Sequence, residues 1–395
     1  MWNEGSNVRV LDKIQIVLCS DEPEKEIEEH KDEFIKNDVS FLIFDLKHPS
    51  RFQDIVRIYD KNGYTILEFM KYENTVLLPM QGDKINIIAD ATIDLDSNIL
   101  SMLRGSQYSL QNQEFLDFAK FIGRNQIQLN AMPYFLEASM NTSAMKDLES
   151  VRKCLLNYFC FSRMCNENKF YSEYRPQLED EYRANRAYQQ MLDNRKNIRN
   201  NEKERINAIR CFWLKIYIIE FSSKKSAENK LLQLMEFVNN ELGSYWENGV
   251  LLAYWYFNKQ KDVVRFFSKV KPNSRSKTKD VEGMAWDIFH LWNMPEQMFN
   301  MWKKTRKINI VYLATHDRAL VAIARLNPII RLCFYKDNYG VKYKYSIRDY
   351  VSEKCYDKIF DEFFEKTAQR RAIMEKNNYK EMLQNLETEL MSFTK

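Results

Sequence analysis

The stretch KINIIADATIDLDSNILSMLRG, residues 84–105, decides the fold predicted for this chain. An apolar, β-branched run leads to Asp94 and Asp96, and a helix-like run begins directly after it at Asn98. This pattern predicts a buried strand whose carboxyl end delivers acids to the start of a helix. Ligands of open parallel sheets bind at such strand ends. We therefore interpret the stretch as one half of an acidic metal site.

Composition favours a folded and mostly helical protein. The chain has 395 residues, of which only 9 are glycine and 8 are proline, so turn-forming residues are scarce. The net charge of +4 results from 59 basic and 55 acidic residues. This excess is too small to indicate nucleic-acid binding by itself, so only local clusters of basic residues could indicate such binding.

Cysteine usage and hydropathy favour a cytoplasmic location. The seven cysteines are odd in number and show no CxxC spacing, which argues against a disulfide framework or a zinc ribbon. The apolar runs are too short to span a membrane, and the first residues do not have the pattern of a signal peptide. We expect a soluble protein in a reducing compartment.

The order of the elements predicts an α/β core that is divided by helices. A second apolar run, INIVYLAT at residues 308–315, ends at His316 and Asp317 and predicts another buried strand. Residues 8–19 are expected to contribute a strand to the N-terminal region, as are residues 40–46. The predicted segments are a small α/β region at 1–80, the first half of the core at 81–142, a helical insertion at 143–276, the second half of the core at 277–335, and C-terminal helices at 336–395.

Four acids stand where a metal-dependent enzyme needs them. Asp96 and Asp317 follow the two strands, whereas Glu137 and Asp287 lie on apolar faces of predicted helices, with Asp280 as a rival to Asp287. Carboxylate oxygens are the ligands that Mg²⁺ and Mn²⁺ prefer. Converging carboxylates repel each other, and a bound divalent cation would relieve that repulsion.

These residues carry a resemblance to a known family. Asp96-Ser97-Asn98 at one strand end, Glu137, a helical Asp, and Thr315-His316-Asp317 at the other strand end resemble the acidic motifs of PIN-domain nucleases. The resemblance implies an α/β/α core with a parallel sheet and Mg²⁺ or Mn²⁺ held by the four acids. It also implies hydrolysis of phosphodiester bonds, most often in RNA, with Asn98 and Thr315 orienting the acids. It covers about 84–140 and 278–330, and the long helical insertion departs from the family pattern.

Basic residues on both sides of Asp287 suggest where a nucleic-acid backbone would bind, because attraction to phosphates does not depend on base sequence. The resemblance also suggests a toxin or phage-defence effector that a regulatory or inhibitory protein partner holds in check. The sequence leaves the oligomeric state open, a homo-oligomer included. The basic candidates are Lys271, Arg275, Lys277, Lys279, Lys303, Lys304, Arg306 and Lys307.

Two alternatives remain open at the level of sequence. IDLDSN partly resembles the motif of haloacid-dehalogenase phosphatases, with Asp94 as nucleophile and Asp96 as acid, although Asn98 departs from that motif. The second alternative is a non-catalytic helical scaffold in which the acids only cap helices, since Asp is a favoured residue at helix N-termini.

Overall fold

The chain is described by a computed structural model that covers residues 4–45, 60–61, 64–67, 76–78, 89–103, 111–140, 148–171, 174–197, 200–306 and 308–393. It has an α/β architecture with two compact units. The first unit comprises Met1–Leu192, Leu291–Val321 and Pro328–Lys344. The second comprises Asp193–His290, Ala322–Asn327 and Tyr345–Lys395. Residues 84–88 and 104–105 of the stretch KINIIADATIDLDSNILSMLRG lie outside the described residues. Of the segment RFQDIVRIYDK, residues 51–61, for which the sequence predicts a helix, only Asp60 and Lys61 are described, and they form a short strand instead.

The first unit begins with three helices, and the strand expected over residues 8–19 is wrong. Val10, Ile14 and Val17 are buried, whereas Leu11 and Ile16 are 48% and 46% exposed. The buried positions recur every three to four residues, which is the period of a helix, and the β-branched composition had suggested a strand. The helices are α1 (Glu4–Cys19), α2 (Pro23–Glu29) and α3 (Lys31–Lys36).

A four-stranded antiparallel sheet lies in the first unit. The strand expected at 40–46 is confirmed as β1, and Phe41 packs edge-to-face against Phe34 at 5.0 Å. Arg331 of this sheet forms an ion pair with Asp45 and donates to backbone carbonyls at the end of α1, including Val17. The strands are β1 (Val39–Ile43), β4 (Val76–Leu78), β8 (Ile329–Tyr335) and β9 (Asn338–Tyr343), in the order β4-β1-β8-β9.

A second, mixed sheet of five strands also lies in the first unit. It contains β2 (Asp60–Lys61), β3 (Tyr64–Leu67), β5 (Ala89–Leu95), β6 (Gln128–Asn130) and β7 (Ile308–Thr315). The order is β2-β3-β7-β5-β6, with β5 parallel to β6 and β7, while β3 runs antiparallel to β7. The expected parallel pairing of two strands that are far apart in sequence is therefore confirmed.

Five helices complete the first part of the chain, and three of them pack against strands of the mixed sheet. α5 (Gln113–Arg124) presents Phe115, Phe118 and Ile122 to the core, each fully buried, as the spacing of its apolar residues predicts. Tyr64 of β3 stacks on Phe118 with ring centroids 5.3 Å apart. The helices are α4 (Ser97–Met102), α5 (Gln113–Arg124), α6 (Met132–Met140), α7 (Leu148–Glu167) and α8 (Leu178–Asn197).

The second unit is helical among its described residues, and its core is aromatic. Tyr256 stacks on Phe267 at 4.3 Å, and Trp213 packs edge-to-face against the same ring. No helix in the described part of the chain has the length and apolarity to cross a membrane. Its elements are α9 (Asn200–Ser222), α10 (Ala227–Phe237), a π-helix (Val238–Leu242), α11 (Glu247–Phe257), α12 (Lys261–Phe267), a 3₁₀ turn (Ile347–Asp349), α15 (Glu353–Glu365), α16 (Thr367–Lys376) and α17 (Tyr379–Ser392).

Three helices run through the division between the units. α8 is divided between Leu192 and Asp193. α13 (Lys277–Thr305) is divided between His290 and Leu291, and α14 (Arg318–Leu326) between Val321 and Ala322. α14 follows directly after β7, as α4 follows β5. The two parallel strands therefore each lead into a helix, which is the arrangement that places side chains at the carboxyl edge of a sheet.

Candidate functional site

The carboxyl ends of β5 and β7 meet at one edge of the mixed sheet. The two strands pair in parallel through Leu95 and Ala314, and the backbone N–H of Asp96 donates to the carbonyl of Ala314 at 3.0 Å. Asp96 follows β5, and Thr315 ends β7. The backbone pairing therefore brings the two predicted motifs side by side.

The Asp96 carboxylate faces the neighbouring strand. Asp96 is in the N-cap position of α4, yet its side chain accepts no capping hydrogen bond from that helix. Its Oδ2 accepts hydrogen bonds from Thr315 Oγ1 and from Asn98 Nδ2, both at 2.6 Å. Ser97 Oγ lies 3.4 Å from the other oxygen, Oδ1. The residue is only 3% exposed, so these contacts fix the carboxylate inside the sheet edge.

Asn98 and Thr315 connect the two motifs. Asn98 Oδ1 accepts the backbone N–H of His316 at 3.0 Å, which turns its Nδ2 toward Asp96 and Thr315. Thr315 is fully buried, and its hydroxyl also accepts the backbone N–H of Asp317 at 3.0 Å. We define Asp96, Asn98, Thr315 and Asp317 as the strand-end cluster.

Asp317 has a helix-capping role in this cluster. Its Oδ1 accepts the backbone N–H groups of Ala319 and Leu320 at 2.7 and 3.1 Å, which caps the start of α14. His316, beside it, is exposed and packs edge-to-face against Tyr64 at 4.9 Å. The cap fixes the Asp317 carboxylate against α14 at the same sheet edge as Asp96.

Asp94 lies deeper in the sheet and is held by two amides. It is 1% exposed; its Oδ1 accepts from Asn130 Nδ2 at 2.6 Å and its Oδ2 from Gln297 Nε2 at 2.8 Å. Sequence reasoning missed both amides. Asn130 ends β6, a strand parallel to β5, and this strand-end position could have indicated it. Gln297 lies on α13 and carries no comparable signal.

The other predicted acids do not join the strand-end cluster in the described contacts. Glu137 is half-buried on α6, which packs against β5 and α4 in the first unit. Asp287 belongs to the second unit and pairs with Lys269 at 3.5 Å. Asp280, in the same unit, accepts from Ser276 Oγ at 2.8 Å. Among the described residues no three His, Cys, Asp or Glu side chains are grouped as metal ligands, so the set of four acids is not assembled there.

One of the predicted phosphate-binding residues requires correction. Lys277 is 1% exposed, and its amine donates to the backbone carbonyls of Pro272 and Phe393, both at 2.6 Å. Because this lysine satisfies buried carbonyls, it is not a surface contact for nucleic acid. Lys271, Arg275, Lys279 and Lys304 are exposed, whereas Lys307 lies outside the described residues.

Two further basic residues are exposed but already have acidic partners in the first unit. Lys303 forms an ion pair with Asp337. Arg306 pairs with Asp38 at 2.8 Å and lies over the ring of Trp302 at 4.3 Å. Exposed ion pairs of this kind contribute little to stability and exchange readily with other anions. Both side chains thus remain compatible with contact to a phosphate backbone.

The chemistry of the strand-end cluster is that of hard oxygen donors. Its carboxylates and hydroxyl suit Mg²⁺ or Mn²⁺, whereas a site for a softer metal would need thiolates or imidazoles. Burial raises the pKa of the Cys160 and Cys165 thiols on α7, which disfavours the thiolate form that binds soft metals. The described oxygen donors are of the type that small divalent cations prefer.

The strand-end cluster is thus a connected polar group at the carboxyl edge of the mixed sheet. Its chemistry must be argued from its own residues, since fold alone does not determine function. Comparisons of this chain with models of protein families, with curated proteins and with solved structures found no match.

Proposed function

We propose that this protein is a Mg²⁺- or Mn²⁺-dependent nuclease that hydrolyses phosphodiester bonds in RNA, and that the strand-end cluster is its catalytic site. The proposal includes a PIN-like core, on the resemblance of the motifs at Asp96 and Asp317. The observation that carries it is the orientation of Asp96, which occupies an N-cap position without capping the helix.

That orientation is unexpected for a structural residue. An Asp that caps a helix contributes about 0.5–2 kcal/mol to stability through its hydrogen bond to the first turn. Asp96 makes no such bond, and Thr315 and Asn98 hold its carboxylate at the strand ends instead. A carboxylate that is buried and fixed in this way at a strand end is a candidate for a functional role.

The two carboxylates of the cluster are enough for the proposed cation. Mg²⁺ is commonly held by one or two carboxylates together with substrate phosphates, and it does not require a complete protein cage. Asp96 and Asp317 would hold the ion, while Asn98 and Thr315 keep Asp96 in position. When bound, such an ion supplies a water of lowered pKa and stabilises charge that develops on the phosphate oxygens.

The exposed basic residues of the first unit would attract the RNA backbone. Lys303 and Lys304 lie in the last turn of α13, and Arg306 follows the helix, before β7. Contacts of this type are independent of base sequence and weaken as salt rises. A toxin or phage-defence role, an inhibitory protein partner and a cytoplasmic location remain predictions that follow from the resemblance and the composition.

The test is a cleavage assay with single-stranded RNA in the presence of Mg²⁺ or Mn²⁺. Asp96→Asn keeps the size of the side chain but removes its charge, and we expect cleavage to fall by about 100-fold or more. Asp117→Asn is the matched control, since Asp117 is an exposed acid on α5 of the same unit. Equal cleavage by the Asp96→Asn variant and the wild-type protein would refute the site assignment.

One observation favours the non-catalytic alternative. Asp317 caps α14, which is the role expected of it in a scaffold without enzymatic activity. In that case the protein would bind no divalent cation near millimolar concentration and would cleave no RNA. The phosphatase alternative is less favoured, because its nucleophile, Asp94, is 1% exposed and has both oxygens engaged by amides.

A further inference from the structure

A polar groove lies between α10 and α15 in the second unit. Its volume is about 350 Å³, which is within the usual range for pockets that bind small molecules. It contains no residue of the strand-end cluster, and its interpretation does not rest on the proposed nuclease activity. The side chains that line it combine lysines, amides and a few apolar groups.

A buried amide donor borders this groove. Asn239 is fully buried, and its Oδ1 accepts a hydrogen bond from Arg370 Nη1 at 3.0 Å. Because an arginine can only donate, this contact fixes the orientation of the amide and turns Nδ2 away from Arg370. Nδ2 has no hydrogen-bond partner among the described residues. A buried donor of this kind is costly unless an acceptor reaches it, so a ligand oxygen in the groove would satisfy it.

The local backbone supports a functional role for Asn239. The residue lies in a π-helix, Val238–Leu242, which directly continues α10. Single π-helical turns are rare and occur often at functional sites. The π-helix ends at Gly243 with a φ of 76°, a left-handed conformation that favours glycine. The irregular turn thus places Asn239 at the groove.

The charges that line the groove favour an anion. Lys225 and Lys358 are exposed at its margin, and Lys366 pairs with Glu362 at 3.7 Å. With Glu236, the groove has three lysines and two glutamates, a formal excess of one positive charge. Because Lys366 and Glu362 neutralise each other, the two exposed lysines are balanced by only one further acid, Glu236.

The remaining side chains indicate a ligand with an organic body. Met235 and Ile359 are 2% and 5% exposed and provide an apolar surface, and Asn229 and Gln233 add amide donors and acceptors. A bare anion would not use these groups. We propose that this groove binds an organic phosphate of the size of a nucleoside monophosphate, with a phosphate oxygen accepting from Asn239 Nδ2.

Isothermal titration calorimetry on the full chain tests this proposal, with the four ribonucleoside 5′-monophosphates as probes. We expect at least one of them to bind with a dissociation constant of about 1 mM or lower. Asn239→Asp should weaken binding about tenfold or more, because it removes the donor and adds a negative charge, while the new carboxylate can still accept from Arg370. Lys358→Gln, a surface change that does not threaten folding, should weaken binding about two- to fivefold.

Controls separate the parts of the proposal. Asn258→Asp adds the same charge at an exposed position outside the groove and should leave the affinity unchanged. Adenosine and inorganic phosphate should each bind more weakly than the best nucleotide. The proposal is overturned if no nucleotide binds at about 10 mM, if adenosine or phosphate alone binds equally well, or if Asn239→Asp and Lys358→Gln both keep the wild-type affinity.

Discussion

Replacing Thr315 by valine tests the connection between the two strand ends. Valine matches the shape of threonine but lacks its hydroxyl. Thr315 is fully buried, and its hydroxyl donates to Asp96 at 2.6 Å and accepts from the backbone N–H of Asp317 at 3.0 Å. A hydrogen bond to a charged group contributes about 1.5–3 kcal/mol and a neutral one about 0.5–1.5 kcal/mol, so Thr315→Val should cost about 2–4.5 kcal/mol.

Hydrogen exchange at the amides of β5 and β7, followed by mass spectrometry, measures this cost in the unit that contains the site. The matched control is Thr92→Val on the same strand pair, since Thr92 makes one neutral hydrogen bond, to Asn309 Oδ1 at 3.1 Å. Its expected cost is about 0.5–1.5 kcal/mol. Equal loss of protection in both variants would show that the Thr315 hydroxyl does not stabilise a charged Asp96.

Three further predictions follow from individual contacts. Asn98→Ala should lower RNA cleavage about 10–100-fold, because Asn98 no longer holds the Asp96 carboxylate in position. Asn125→Ala, at an exposed helix end, should leave the cleavage rate unchanged. Equal cleavage rates for the two variants would contradict a positioning role for Asn98. Lys277→Met should lower the free energy of unfolding of the second unit by about 1–3 kcal/mol, because it leaves two carbonyls unsatisfied. Denaturant unfolding measures this loss, and it should show no such loss for Lys279→Met, since Lys279 is exposed. Burial raises the pKa of Tyr158 to about 12, above the usual value of about 10. The contribution of its neutral hydroxyl to stability is therefore complete below pH 10 and is lost as pH rises toward 12. The melting temperature of Tyr158→Phe should fall less than that of the wild-type protein across this pH range. An equal fall in both proteins would refute the raised pKa of Tyr158.

The parallel strand pair could be predicted from sequence because each of its two strands has a strong local pattern of apolar residues. Both strands are rich in apolar residues, and each is followed within two residues by an acid that precedes a helix. Buried parallel strands have this composition, and their carboxyl ends meet at one sheet edge. The pairing of Asp96 with Thr315 follows from these two facts, although more than two hundred residues separate them.

The first helix shows where the sequence prediction was wrong, and Asp287 shows what the sequence could not supply. In α1 the β-branched residues suggested a strand, whereas the spacing of Val10, Ile14 and Val17 already fitted a helix. For Asp287, an apolar neighbourhood suggested a buried ligand. The structure instead gives it a lysine partner, Lys269, from a neighbouring helix end. A sequence pattern does not show which charged side chains folding will bring into contact.

Lys277 illustrates the same limit for charged surfaces. Its neighbours in sequence are basic and polar, so the segment reads as a solvated loop that could contact phosphates. In the folded chain its amine lies within hydrogen-bond distance of the carbonyl of Phe393, which is 116 residues away in sequence. The sequence around a lysine does not indicate whether that lysine is buried, and contact of the other exposed basic residues with nucleic acid stays a prediction.

The most direct test of the account is the position of a metal ion. Crystals of the wild-type protein with Mn²⁺ and a non-cleavable RNA strand would be examined by anomalous diffraction. The account predicts a peak about 2.1 Å from a carboxylate oxygen of Asp96, at the distance typical of small divalent cations. The absence of a peak at Asp96 in crystals that contain ordered RNA would contradict the proposal that this strand end holds the catalytic metal.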